Sequence, residues 1–265
     1  SRDGCSSGCT VEVLNWRKWQ PELTPRADFG LTYDPNRQVA VLFGGIGSSE
    51  VYGDTWEFDG YRWTRVETAN APPARHGHRL VYDSNQQLVV MFGGKDATTE
   101  LNDTWVYDGN VWTQRTPTNP PSARSGHGLA YDTSRQRVVM FGGRNAANGS
   151  GLAETWEYDS VADYWTQVGG TQPSYRTGLA MVYDAQRQEI VMFGGMGASG
   201  TQRDDTWTYS AGGWSLKAPT VVPTERWSHD LAYDPTRQRV LMFGGADDVG
   251  TYLGDTWEWD GADWT

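Results

Sequence analysis

The sequence predicts an all-β protein built from five similar sheets, and three repeated signals carry that prediction. The signals are an opening arginine, a Phe-Gly-Gly triplet and a Thr-Trp pair, each recurring about every 49 to 52 residues. The opening arginines are Arg26, Arg75, Arg124, Arg176 and Arg226. The triplets begin at Phe43, Phe92, Phe141, Phe193 and Phe243. The paired tryptophans are Trp56, Trp105, Trp156, Trp207 and Trp257. Units of this kind bury their apolar faces against neighbouring copies.

The second copy shows how each unit is divided. Residues 75–83 alternate well enough for a strand, and residues 88–92 form a continuous apolar run that ends at Gly-Gly. Residues 103–108 and 111–115 are two further strands, joined by a Gly-Asn turn of the kind found in hairpins. Four antiparallel strands per unit predict the blade of a β-propeller.

The repeats divide nearly the whole chain. We expect one propeller domain over residues 20–265, preceded by an N-terminal segment over residues 1–19. The expected blades span about 26–70, 75–119, 124–170, 176–220 and 226–265. Ten of the 14 tryptophans occupy repeated positions in the third and fourth strands, so we expect them to pack between blades. We favour a ring closed by five blades, and the alternative is a piece of a larger ring.

Composition limits the possible functions. The 32 glycines and 12 prolines suit a turn-rich β protein. A net charge of −11 argues against nucleic acid and against anionic lipid as partners. No apolar run approaches the roughly 18 residues of a membrane span, so we expect no membrane insertion. We expect a monomer.

The only two cysteines, Cys5 and Cys9, precede the repeats, and the chain begins at Ser1. Together these features favour a mature secreted or periplasmic protein with a Cys5–Cys9 disulfide. The alternative is a fragment with two free thiols.

The recurring Arg, the frequent His three residues later, the Gly-Gly, the Tyr-Asp and the late Trp resemble the kelch repeat. The resemblance covers residues 26–265 and extends to bacterial kelch domains and to the propeller domain of galactose oxidase. It implies a propeller, in a family where six or seven blades are usual. It also implies that residues 11–20, which look like one more strand, latch the ring. Kelch propellers include enzymes, sugar-binding proteins and protein-interaction platforms, so the resemblance leaves function open.

The opening arginines share one face of the predicted propeller with the loops after Gly-Gly. These loops vary most between copies, and variable loops on a rigid scaffold often carry binding. Kelch interaction domains hold acidic peptides with such arginines. Because the arginine is present in every copy, we favour a structural pairing with the acid near each third strand. Those acids are Asp54, Asp103, Glu154, Asp205 and Asp255.

Residues that break the repeat are the better candidates for a ligand site. Asp28 replaces a small residue two places after the arginine, and Arg79 and Asp230 do so four places after it. His76 and Trp227 stand one place after their arginines. In a closed ring, blades five, one and two are consecutive, so we expect Asp28, Arg79 and Asp230 to meet. The set suits a sugar or another polar ligand, and the alternative is an ion-paired patch that fills space.

Lys95 and Arg144, which follow Gly-Gly, are the loop residues expected to join that site. His78, His127 and His229 share their repeat position with Phe29 and Leu179, so we interpret them as packing residues and predict no zinc site. The repeats contain no cysteine for copper-radical chemistry of the galactose oxidase type, and the iron-binding pattern of nitrile-forming kelch proteins is missing. We predict no cofactor.

Two classes of function follow. The first is an exported, non-catalytic domain that binds a glycan or a protein partner on the arginine face. The second is a carbohydrate-active enzyme (a mutarotase, lyase or hydrolase) that uses Asp28 and Asp230 with Arg79. We lean away from an enzyme.

Overall fold

The computed structural model describes residues 23–146 and 150–265 as five antiparallel β-sheets in a propeller arrangement. Cys5, Cys9 and residues 11–20 lie outside these ranges, so the predicted disulfide and latch stay predictions. The all-β, five-bladed fold is confirmed. A 3₁₀ turn spans Ala198–Gly200. Nothing in the described ranges forms a helix with the length and hydropathy needed to cross a bilayer.

Each blade follows the predicted strand order, from the centre of the propeller outward. Blade 1 contains β1 (Gly30–Asp34), β2 (Val39–Ile46), β3 (Val51–Phe58) and β4 (Trp63–Val66). Blade 2 contains β5 (Arg79–Asp83), β6 (Leu88–Phe92), β7 (Thr104–Tyr107) and β8 (Trp112–Arg115). Blade 3 contains β9 (Gly128–Asp132), β10 (Arg137–Phe141), β13 (Thr155–Asp159) and β14 (Tyr164–Val168), with a small hairpin of β11 (Arg144–Asn145) and β12 (Ser150–Gly151).

Blade 4 contains β15 (Ala180–Asp184), β16 (Glu189–Phe193), β17 (Thr206–Ser210) and β18 (Gly213–Leu216). Blade 5 contains β19 (Asp230–Asp234), β20 (Arg239–Phe243) and β21 (Thr256–Trp259). Its fourth strand is reduced to a bridge between Trp259 and Trp264.

The apolar core lies between the blades. We call the side of a blade that faces the next blade along the chain its exit face, and the opposite side its entry face. Phe43 on the exit face of blade 1 packs edge-on against Trp112 of blade 2, with ring centroids 5.2 Å apart. The Trp112 indole Nε1 donates to Thr55 Oγ1 at 2.9 Å. The same Phe-Trp-Thr unit joins blades 2 and 3, 3 and 4, and 4 and 5, which confirms the predicted packing of the fourth-strand tryptophans in blades 2 to 5.

The opening arginines are structural, as predicted. Arg75 is fully buried and forms two hydrogen bonds with the Asp103 carboxylate, at 2.6 and 2.8 Å. It also donates to the Gly93 carbonyl at the end of the second strand, at 2.9 Å. The Trp105 indole donates to the same carboxylate at 2.6 Å. Each of the other four arginines is paired with the predicted acid of its own blade, so these five cations do not form a free charged ring.

Backbone hydrogen bonds join the blades near their arginine ends. In blades 2 to 5, the second residue after the opening arginine donates its N–H to the carbonyl of its counterpart in the preceding blade, at 2.8 Å in every case. The series starts at the Asp28 carbonyl, passes through three glycines and ends at the Ser228 N–H. Within the described residues no such bond links Ser228 to Asp28, so the ring that we expected to close with five blades is open between blades 5 and 1.

Candidate functional site

A sharp turn sets the layout of the arginine face. The turn residue, two places after each opening arginine, has a positive φ in all five blades. Three blades use glycine there, which adopts this conformation at little cost. Asp28 and Ser228 adopt it as non-glycine residues, with φ of 53° and 54°. The turn directs the preceding side chain over the neighbouring blade, so that His76 reaches toward Asp28 and Trp227 lies against Gly178.

Asp28 and His76 form the best-defined contact of the predicted site. His76 Nδ1 lies 3.7 Å from Asp28 Oδ2, and the Asp28 side chain is about half exposed. The nearby His76 side chain is the main cause that lowers the pKa of Asp28, and the charges of Arg79 and Arg144 lower it further against the effect of burial. Asp28 is therefore a stable carboxylate that faces several cations.

Arg79 lies at the arginine-face end of the central cavity, which we call the mouth. It begins β5, is partly buried and lines this cavity of about 600 Å³, to which all five inner strands contribute. Burial lowers the pKa of His78, His127 and His229, and the Arg79 charge lowers each of them further. These histidines belong to blades 2, 3 and 5, so the Arg79 charge acts on groups of three blades. Within the described ranges its guanidinium has no hydrogen-bond partner.

Lys95 and Arg144 extend the positive charge along blades 2 and 3. The backbone of Lys95 pairs with that of His76, with N–H to carbonyl distances of 2.8 and 2.9 Å, and Arg144 pairs with Ser125 in the same way. We call Arg79, Lys95 and Arg144 the cationic arc, and His76 lies beside it.

The equivalent loop residues in the other blades are apolar. They are Ile46, Met196 and Ala246. At this loop position the mouth is therefore cationic in blades 2 and 3 and apolar in blades 1, 4 and 5, where Asp28, Trp227 and Asp230 also lie. This division was not among the features predicted from the sequence, although the five residues after Gly-Gly reveal it when they are compared.

Asp230 does not complete the predicted trio. It begins β19 on the exit face of blade 5, is exposed, and its carboxylate accepts a hydrogen bond from the adjacent Leu231 N–H at 2.9 Å. It lines the same central cavity as Arg79, but among the described residues it forms no ion pair with Arg79 within 4.0 Å. The expectation failed because blade 5 is not joined to blade 1 as the other blades are joined.

The three repeated histidines are packing residues, as predicted. His78 packs edge-on against Phe43, with ring centroids 5.6 Å apart, and both of its ring nitrogens are buried without a hydrogen-bond partner. Burial is the main cause that lowers the pKa of His229 to about 3, so this side chain is neutral at ordinary pH. In the parts of the chain that the structure describes, no group of three or more His, Cys, Asp or Glu is arranged to hold a metal ion.

The blade pattern, the buried Arg-acid pairs and the variable loops around the mouth define a kelch-type β-propeller, a fold that generally serves protein interaction. The family model described as the Attractin/LZTR1 beta-propeller matches residues 40–212, which is more than half of the chain. The chain belongs to this family, and the resemblance inferred from the repeats is confirmed. No curated protein matches the chain.

Proposed function

We propose that the propeller is a non-catalytic binding domain that holds an acidic segment of a protein partner at its mouth. The observation that supports this most strongly is the cationic arc. The chain as a whole carries a net charge of −11, and all five opening arginines are neutralised by acids of their own blades. The arc concentrates positive charge at one edge, with Asp28 as the acid beside it.

The chemistry of the arc suits carboxylates. A guanidinium offers paired donors that match the two oxygens of a carboxylate, and Arg79 has these donors available. Lys95 and Arg144 add charge farther out. On the opposite side Met196 and Trp227 provide apolar surface for a neighbouring side chain of the partner. A short segment with acidic and apolar residues would therefore meet matching groups on both sides of the mouth.

A carbohydrate-active enzyme has less support. A glycosidase needs a carboxylic acid that stays protonated near neutral pH, as well as a second carboxylate about 5–10 Å away. The pKa of Asp28 is lowered, which favours a permanent anion over a proton donor. Asp230 lies on the exit face of blade 5 and accepts a hydrogen bond from its own neighbour.

The test measures the affinity of the full chain for a glutamate-rich peptide and for a neutral peptide of equal length. We expect preference for the acidic peptide, loss of roughly tenfold in affinity with Arg79→Ala, and weaker binding as salt shortens the Debye length. The matched control is Arg239→Ala, because Arg239 begins β20 at the opposite end of blade 5. Equal affinity for the two peptides would contradict the proposal.

The same variants distinguish the other functions. Binding of a neutral glycan that is lost with Trp227→Ala and kept with Arg79→Ala would show that the ligand is a glycan and not a protein. Sugar turnover that is lost with Asp28→Asn would establish an enzyme. Export and the Cys5–Cys9 disulfide are also proposals, and the disulfide is checked by the mass of the thiol-alkylated protein before and after reduction.

A further inference from the structure

The central cavity of about 600 Å³ has mostly apolar walls. The second residue of each inner strand is leucine or methionine, and in blades 2 to 5 these side chains are at most 8% exposed. They are Leu80, Leu129, Met181 and Leu231. The volume lies in the range of about 300–1,000 Å³ that is typical of small-molecule sites. The cavity can therefore hold a small organic molecule against apolar surface.

Two charged residues, Arg79 and Asp230, line this cavity, and the other described residues around it are uncharged. Each is the first residue of its inner strand and is the register partner of the phenylalanine that ends the second strand. The two residues therefore lie at the same level of the cavity, at the mouth. In the remaining blades this place is held by Gly30, Gly128 and Ala180.

Neither of these two charges has an ion-pair partner among the described residues. Arg79 has a guanidinium without an acceptor, and the Asp230 carboxylate accepts only the N–H of its neighbour Leu231. The opening arginines differ, since Arg75, for example, is fully buried and bonded to both oxygens of Asp103. Opposite charges that line one cavity and stay apart can both be satisfied by a ligand that carries both charges.

We propose that the central cavity binds a free α-amino acid with an apolar side chain. The carboxylate of the amino acid pairs with Arg79, because a guanidinium offers two donors to the two carboxylate oxygens. Its ammonium group pairs with Asp230. Its side chain contacts the leucines and Met181 below the mouth.

The common level of the two charges selects this class of ligand. An α-amino acid carries both of its charges on one carbon atom and leaves an uncharged end for the apolar walls. A dicarboxylate would bring its second anion toward Asp230 and be repelled. A neutral sugar would leave both charges of the mouth without an ionic partner and would place hydroxyl groups against leucine side chains.

The amino-acid site goes beyond the binding of an acidic protein segment and does not require it. Both ligands use Arg79, so we expect them to compete. The acidic segment also uses Lys95 and Arg144, which do not line the cavity, whereas the amino acid uses Asp230. The two functions can therefore fail separately.

Isothermal titration of the full chain tests the class of ligand. We expect binding of L-phenylalanine or L-leucine. The deaminated and the decarboxylated analogue of the tighter ligand should each bind at least about tenfold more weakly, because each lacks one of the two ion pairs. Failure of both amino acids to bind at millimolar concentration, or equal affinity for the amino acid and its two analogues, would overturn the proposal.

Two variants separate the roles of the two charges. Arg79→Met, which keeps an apolar stem, should weaken binding of the amino acid and of its deaminated analogue about tenfold. Asp230→Asn should weaken binding of the amino acid by a similar factor and leave the deaminated analogue bound as well as before or better. The matched control is Asp248→Asn, an exposed acid in a loop of the same blade. Equal losses of affinity with Asp230→Asn and Asp248→Asn would overturn the proposal.

The Asp230→Asn variant also keeps this proposal apart from the acidic segment. Its affinity for the glutamate-rich peptide should not fall, because it removes an anion from the mouth. Its Tm should stay within about 2 °C of the wild type, since the side chain is exposed. Loss of both the peptide and the amino acid with Asp230→Asn would contradict the pairing of Asp230 with the ammonium group.

Discussion

Phe193 and Phe243 occupy the same repeat position in neighbouring blades and differ completely in environment. Phe193 is fully buried and packs against Trp264 with centroids 5.4 Å apart, whereas Phe243 is 61% exposed. Their own strands and flanking glycines are alike. The difference shows that burial in this fold is supplied by the next blade. An identical residue is core at one boundary and surface at the boundary between blades 5 and 1, which we call the seam.

The largest expected loss of stability comes from replacing these two phenylalanines by alanine. Phe193→Ala should lower the free energy of unfolding by about 3–5 kcal/mol, because it opens a cavity in a closed interface. Phe243→Ala should cost less than half as much, because the described part of the protein leaves the ring largely in solvent. Denaturant unfolding measured on both variants checks the comparison. Equal losses would show that the seam is as tightly covered as the other boundaries.

A smaller loss of stability is expected when the acids that pair with the opening arginines of blades 4 and 5 lose their charge. A hydrogen bond from Arg226 lowers the pKa of Asp255 to about 2. Because the folded pKa is below the unfolded value of about 3.9, this pair stabilises the protein above pH 4, and the stabilisation is lost as the pH falls toward 2. Asp205 has a lowered pKa through the equivalent bond from Arg176, against strong burial.

The corresponding measurement is the Tm of the wild type and of Asp255→Asn between pH 5 and pH 2. We expect the two curves to converge as the pH falls. Asp205→Asn should be the more destabilising variant at pH 5, because both arginines are fully buried but the Asp205 side chain is 27% exposed and that of Asp255 is 41% exposed. A difference in Tm between the wild type and Asp255→Asn that stays the same at every pH would contradict the lowered pKa of Asp255.

The smallest change in stability is expected at the strained turns in the first and last blades. Ser228→Gly should stabilise the protein by up to about 1 kcal/mol, since glycine adopts the positive φ at lower cost. The reverse change in a covered blade, Gly178→Ser, should destabilise it. A rise in Tm of about 2–4 °C is the expected reading for Ser228→Gly. No change would indicate that the serine side chain makes a compensating contact.

Most of the fold was predictable because it depends on local patterns that the repeat shows five times. The strands of blade 2, the Arg75–Asp103 pair and the packing role of His78 all follow from residues that recur at fixed spacing. The closed ring was not predictable in this way. Closure depends on the angle between blades summed around the axis, and no short stretch of sequence encodes that sum.

The candidate site was predicted in part for the same reason. Asp28 and His76 were brought together because they belong to consecutive blades that share a packed boundary. Asp230 was expected beside Arg79 only through the assumed ring, and it lies instead on the open face of blade 5. Contacts within one blade boundary could be predicted, whereas contacts across the seam could not.

The backbone hydrogen bonds that run from the Asp28 carbonyl to the Ser228 N–H give the described propeller two distinct ends. An array with ends frays from them, since a terminal unit has one stabilising neighbour and an internal unit has two. Blades 2 to 4 should therefore behave as one cooperative block, with blades 1 and 5 melting away from it first. A segment or partner that bridged the seam would convert this linear array into a circular one, and would so stabilise blades that it does not contact.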